Sequence, residues 1–140
     1  LTRSLGVEER VRFTGYRRDL AELVGASDIL VSTSNRESFG QVIVEAMLAG
    51  LPVVTTPVGG PSEIVVPHRT GLFVPVGNPL AVADAISFLL REPELRESFG
   101  EAGRLRAASL YVADCYVEQV LDLYESLASA PQLVGRANSA

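Results

Sequence analysis

The sequence predicts an α/β fold on a doubly wound parallel sheet, and three observations carry that prediction. Short runs rich in β-branched residues alternate along the chain with stretches of helical spacing. The helix between two of those runs, Phe39–Ala49, holds Val42, Ile43, Val44, Ala46, Met47 and Leu48, and is apolar almost all the way round, as in a helix packed inside a layer. With 140 residues, 47% of them hydrophobic, the chain can bury a core of ordinary size.

In order, Val11–Phe13 reads as a short strand and Asp19–Ala26 as a helix with Asp19 at its N-cap. Ile29–Thr33 is a strand, Phe39–Ala49 the apolar helix, stopped by Gly50, and Val53–Thr56 the next strand. A helical turn at Ser62–Val65 leads to a strand at Leu72–Val74. Three helices follow: Pro79–Leu90 with proline in its first turn, Pro93–Ala107, and Val112–Ala130. Residues 1–130 form one domain, and the small, polar, aperiodic tail Pro131–Ala140 is expected to be disordered.

The net charge of −5 and a pI near 4.9, with no basic patch, argue against a nucleic-acid partner. The single Cys115 offers no internal disulfide and no metal cluster, which suits a reducing, cytoplasmic setting. No apolar run reaches the roughly eighteen residues of a bilayer span, and no signal peptide opens the chain.

Between Glu37 and Gly50 the chain reads E-S-F-G-Q-V-I-V-E-A-M-L-A-G. Glu45 lies inside the apolar helix and needs a partner, because an unpaired buried carboxylate costs several kcal/mol. Eight helical steps separate it from Glu37, about 12 Å, the reach from a sugar ring across a diphosphate to a ribose. Phe39, Gly40 and Gln41 open the helix, where backbone N–H groups lack acceptors and the dipole favours an anion, and Gly40 leaves room for a phosphate. Such a site suits a nucleotide sugar, with one carboxylate for sugar hydroxyls and the other for ribose hydroxyls. The plain alternative for Glu45 is a structural ion pair.

Gly59 and Gly60 follow the strand Val53–Thr56, where open α/β sheets bind ligands. They either let the backbone approach a donor sugar or make a tight connection, and both readings stay open. Glu63 reads as a first-turn acid. Tyr16, Arg17 and Arg18 follow a strand end at the same rim and, taken alone, read as a solvated loop. His68, in P-H-R-T-G, belongs to a surface turn, and Cys115 reads as a small hydrophobe at helical spacing with Val112, Tyr116 and Gln119.

The motif resembles the E-x7-E of the retaining, GT-B glycosyltransferases of family 4 (glycosyl transferases group 1). V-R-F-T-G-Y at Val11–Tyr16 and D-L-A-E-L-V-G-A-S-D-I-L-V at Asp19–Val31 resemble the family's preceding segments. A-G-L-P-V-V-T-T-P-V-G-G-P-S-E-I-V at Ala49–Val65 and T-G-L-F-V-P at Thr70–Pro75 resemble those that follow. The likeness covers about 125 residues, and several motifs in order are more specific than any one.

It implies the C-terminal, Rossmann-like half of a GT-B fold, incomplete at its N-terminus and lacking both the N-terminal domain and the basic pair that neutralises the donor diphosphate. The implied reaction is sugar transfer from a nucleoside diphosphate sugar to a hydroxyl acceptor with retention, by a two-domain enzyme of which this chain alone is inactive. Glu37 would be the catalytic residue, holding the donor sugar; Phe39, Gly40, Gln41, Glu45, Gly59 and Gly60 would bind the donor, with Tyr16 and Arg17 near the base. No metal and no cofactor beyond the donor substrate are implied, and the full enzyme has room for peripheral membrane association. A non-catalytic nucleotide-sugar-binding remnant and a GT-B-like epimerase stay as alternatives.

Overall fold

A computed structural model of the chain describes residues 1–129, the side chains of Asp114 and Cys115 apart. The expected disordered tail and the environment of Cys115 lie outside the described residues. Three strands, β1 (Leu30–Ser32), β2 (Val53–Thr55) and β3 (Gly71–Phe73), form a parallel sheet in the order β1-β2-β3. Leu30 pairs with Val53 and Ser32 with Thr55 across one junction; Val53 pairs with Gly71 and Thr55 with Phe73 across the other. Parallel neighbours cannot be joined by a tight hairpin, so a crossover that includes a helix connects each consecutive pair.

Among the described residues there are six α-helices: α1 (Leu20–Gly25), α2 (Gln41–Leu48), α3 (Pro61–Ile64), α4 (Pro79–Arg91), α5 (Pro93–Leu110) and α6 (Ala113–Ser129). Successive residues of β2 face opposite layers, as strand geometry requires. Val53 packs with Ile43, Val44 and Met47 of α2, Ile64 of α3 and Ala107 of α5. Val54 packs on the other face with Leu72, Val74, Leu89 of α4 and Phe99 of α5. The sheet is therefore covered on both sides, and β2 is buried throughout. Prolines open α4 and α5, and the Asn78 side chain accepts the Ala81 N–H at 3.0 Å to cap α4. Among the described residues no helix is long and apolar enough to cross a membrane.

Two expectations change. Val11–Phe13 is not a strand: it follows a 3-10 turn at Glu8–Arg10, and Val11 and Phe13 are 40% and 81% exposed. A strand exists only with a neighbour to take its hydrogen bonds, and among the described residues none pairs with this segment. Asp19 does precede α1, but its carboxylate makes no cap; it is held by the Arg17 guanidinium, which donates from Nε at 2.8 Å and also from Nη2.

Candidate functional site

Gly40 decides where α2 begins. Its φ of +98° lies in the left-handed region, which only glycine enters without strain, so the helix starts at Gln41, two residues later than the sequence suggests. Glu37 and Phe39 therefore belong to a loop, and the interval from Glu37 to Glu45 is not eight helical rises. Glycine at 40 has an inward reason too: a Cβ there would stand 3.3 Å from Ile43 Cδ1 and 3.5 Å from the Pro61 ring. The Ile43 N–H donates to the Gly40 carbonyl at 2.9 Å. The N–H groups of Gly40, Gln41 and Val42 have no backbone acceptor among the described residues. At the other end, Gly50 and Leu51 N–H groups donate to the Met47 and Ala46 carbonyls, closing the helix where expected.

Phe39 lies in the loop just before the helix. Its N–H donates to Glu37 Oε1 at 3.3 Å, so the motif's first carboxylate folds back over its own loop. Its ring meets Tyr111 edge-on, with centroids 6.1 Å apart.

The loop is clamped from the β2 side. The Gly60 N–H donates to the Glu37 carbonyl at 3.3 Å. A Cβ on Gly59 would lie 1.9 Å from that same oxygen, and one on Gly60 would lie 2.0 Å from the Phe39 carbonyl. Backbone approaches that close admit only glycine. The strand ends are tied as well, since Thr56 Oγ1 donates to the Ser34 carbonyl at 2.6 Å.

Glu45 finds its partner within α2: Gln41 Nε2 donates to its Oε1 at 3.0 Å, one helical turn away. The helix is not buried all round as expected. Val42 and Leu48 are exposed and Glu45 half-buried, and Glu45 and Leu48 face an open cleft. This cleft, about 480 Å³, is lined by Glu45, Leu48 and Ala49 with Leu20, Ala21 and Val24 of α1. A second cleft, about 420 Å³, holds Glu37 with Asn35, Arg36, Ser38, Val58 and Gly59. The carboxylates thus each line their own cleft, with the start of α2 between them in the chain.

Glu37, Phe39, Gly40, Gly59 and Gly60 are brought together; Gln41 and Glu45 form a pair on the helix they open. Tyr16 and Arg17 line neither cleft: Tyr16 is 90% exposed and Arg17 is engaged with Asp19. His68 occupies an exposed turn at φ +58°, its N–H donating to the Gly71 carbonyl at 2.9 Å. Arg36 in the Glu37 cleft was not singled out by the sequence, nor were Arg106 and Tyr111, whose bonds to α3 span more than forty residues and leave no local signal.

The family model of glycosyl transferases group 1 matches residues 1–106. The chain belongs to this family. It is 36% identical to N-acetyl-alpha-D-glucosaminyl L-malate synthase of Bacillus anthracis over 89% of its own length and 32% of that protein. It is 40% identical to a GDP-mannose-dependent alpha-mannosyltransferase of Mycobacterium tuberculosis over 66% of its length and 24% of the relative. Among solved structures, HepE of Anabaena in complex with UDP-glucose superposes with a TM-score of 0.84 at 31% identity, over 89% of this chain and 35% of that one. The chain therefore spans about a third or less of the proteins it matches. The GT-B fold expected from the motif order is the fold of these neighbours.

Proposed function

We propose that residues 35–60 form the donor site of a glycosyltransferase that moves a sugar from a nucleoside diphosphate sugar to a hydroxyl acceptor with retention of configuration. One observation carries the reading: Glu37 and Glu45 line separate clefts with the open N–H groups of Gly40, Gln41 and Val42 between them in the chain. That order suits a sugar, a diphosphate and a ribose in succession. The UDP-glucose held by HepE and the GDP-mannose dependence of the mannosyltransferase support a donor of this class.

In this reading Glu37 holds the donor sugar's hydroxyls, and its release from the Phe39 N–H frees that group for the phosphate. Glu45 takes the ribose through Oε2, since Gln41 already donates to Oε1. Tyr16 and Arg17 precede α1, which shares the Glu45 cleft, so the base lies toward that loop. Gly59 and Gly60 serve by fixing Glu37. The bond from the anomeric carbon to the diphosphate breaks while the acceptor oxygen bonds to the same face, and the acceptor proton passes to the departing diphosphate. No side-chain base, metal or further cofactor is required. By the family resemblance the acceptor site belongs to an N-terminal GT-B domain and the basic pair that neutralises the diphosphate to segments before Leu1, so this chain alone should give no measurable transfer. A cytoplasmic site of action agrees with the single cysteine.

The test is an amide NMR titration of the chain with UDP, GDP and ADP. Saturable shifts at Gly40, Gln41, Val42 and Glu45, at about millimolar dissociation constants for a half-built site, are expected. Silence of those amides toward all three nucleotides would refute the reading.

A further inference from the structure

The C-terminal part of α5 grips the small helix on which the Glu37 loop rests. Arg106 donates from Nε to the Ile64 carbonyl and from Nη2 to the Glu63 carbonyl, each at 2.8 Å. These are the last carbonyls of α3, where a cation meets the unsatisfied, electronegative end of a helix. Among the described residues Arg106 has no carboxylate partner, so its orientation is set by these carbonyls. Tyr111, just past α5, donates from its hydroxyl to the Glu63 carbonyl at 3.4 Å, and its ring touches Phe39.

The opposite end of α3 bears on the site. Gly60, its N-cap, bonds to the Glu37 carbonyl, and Pro61, its first residue, flanks Gly40. Because α3 is only four residues long, the carbonyls held by Arg106 and the N-cap that meets the loop are about one helical turn apart.

We propose that Arg106 and Tyr111 are positioning residues for the donor site: they fix α3, and through it and Phe39 they set the conformation of residues 37–40. The claim rests on the donor-binding reading above and extends it to two side chains outside either carboxylate cleft.

The experiment uses the full 140-residue chain, with R106Q, R106K and Y111F as variants and R104Q as control. Arg104 lies two residues from Arg106 on α5 but is paired with Glu101 and, among the described residues, makes no hydrogen bond to α3. Amide spectra and UDP titrations are recorded for each, alongside melting temperatures. Expected are shifted Phe39, Gly40 and Gly60 amides and UDP binding weakened about three- to tenfold in R106Q and Y111F, as for one lost hydrogen bond. R106K, which keeps a donor and a charge, should recover part of the affinity, and R104Q should match the unsubstituted chain. A lower melting temperature in R106Q with unmoved 37–40 amides, or moved amides with unchanged UDP affinity, would overturn the proposal and leave Arg106 a purely structural residue. If the unsubstituted chain does not respond to UDP, GDP or ADP, the donor-binding reading fails, and the positioning claim fails with it as a statement about that site. The amide shifts alone then decide whether Arg106 still sets residues 37–40.

Discussion

The carbonyl of Glu37 accepts the N–H of Gly60 at 3.3 Å, and the next carbonyl but one, that of Phe39, lies where a side chain on Gly60 would have to stand. Two segments more than twenty residues apart in the chain are thus in backbone contact. Gly60 has an ordinary helical φ of −52°, so alanine there meets no torsional penalty, only the collision at 2.0 Å. Gly60→Ala should cost about 1–3 kcal/mol of stability by overpacking and weaken nucleoside diphosphate binding with it. Gly6→Ala is the contrast: its φ of +66° brings strain of about 1 kcal/mol, but open space around it leaves binding untouched. Urea melts and UDP titrations separate the two. Equal behaviour would mean that the Gly60 contact does not shape the site.

Glu45→Gln tests the ribose role. The variant keeps the volume and still accepts a hydrogen bond from Gln41, so the melting temperature should hardly move. It loses a charge-assisted bond of about 1.5–3 kcal/mol to the ribose hydroxyls, so UDP affinity should fall roughly ten- to a hundredfold. Unchanged affinity with a lower melting temperature would make Glu45 a structural member of α2.

Much of this arrangement is legible in the residue order, and what is not has definite physical causes. The apolar runs of β1, β2 and β3, the prolines that open α4 and α5, and Gly50 all act locally, so their elements fall within a few residues of expectation. Val11–Phe13 carries the same β-branched signal, but a strand needs a partner that composition does not specify. Phe39 has helical character, yet Gly40 in the left-handed region overrules it. The exposed side of α2 escapes the pattern because Glu45 and Leu48 face a cleft that only the placement of α1 creates. Gly59 and Gly60 were readable as special positions, but their purpose depends on a carbonyl 23 residues earlier than Gly60, at Glu37.

Two exposed ion pairs set a pH response. The Arg17 guanidinium holds Asp19 below its ordinary value of 3.8, and Arg104 holds Glu101 below its ordinary 4.5. A depressed folded-state pKa gives stability that is fully present above the unfolded value and is lost as pH falls through the folded one. Both contributions therefore stand at neutral pH and vanish only below about pH 4, and solvent screening keeps them small. Carboxyl NMR titration should place Asp19 and Glu101 below ordinary, with R17A and R104A each restoring its own partner and about 1 M salt shrinking both shifts. An ordinary Asp19 titration in the unsubstituted chain would show that the Arg17 pair does not persist in solution.

The last prediction concerns apolar surface. On α6, Val117, Leu121, Tyr124 and Leu127 are each more than half exposed, and they recur at three- and four-residue intervals along one stripe. Val31 on the edge strand β1 is also exposed, as are Leu20 and Leu48 at the Glu45 cleft. Monomeric proteins rarely leave such contiguous patches in water, and an unpaired strand edge invites further pairing. The chain at tens of micromolar should therefore self-associate, with an apparent mass by light scattering that rises with concentration above its 15.0 kDa. Replacing Leu121 and Leu127 with glutamate should lower that mass without lowering the melting temperature, because neither side chain belongs to a core cluster. A monomer that resists both concentration and dilution, with a sharp cooperative melt, would mean that the α6 stripe is tolerated in water and the fold needs no partner to cover it.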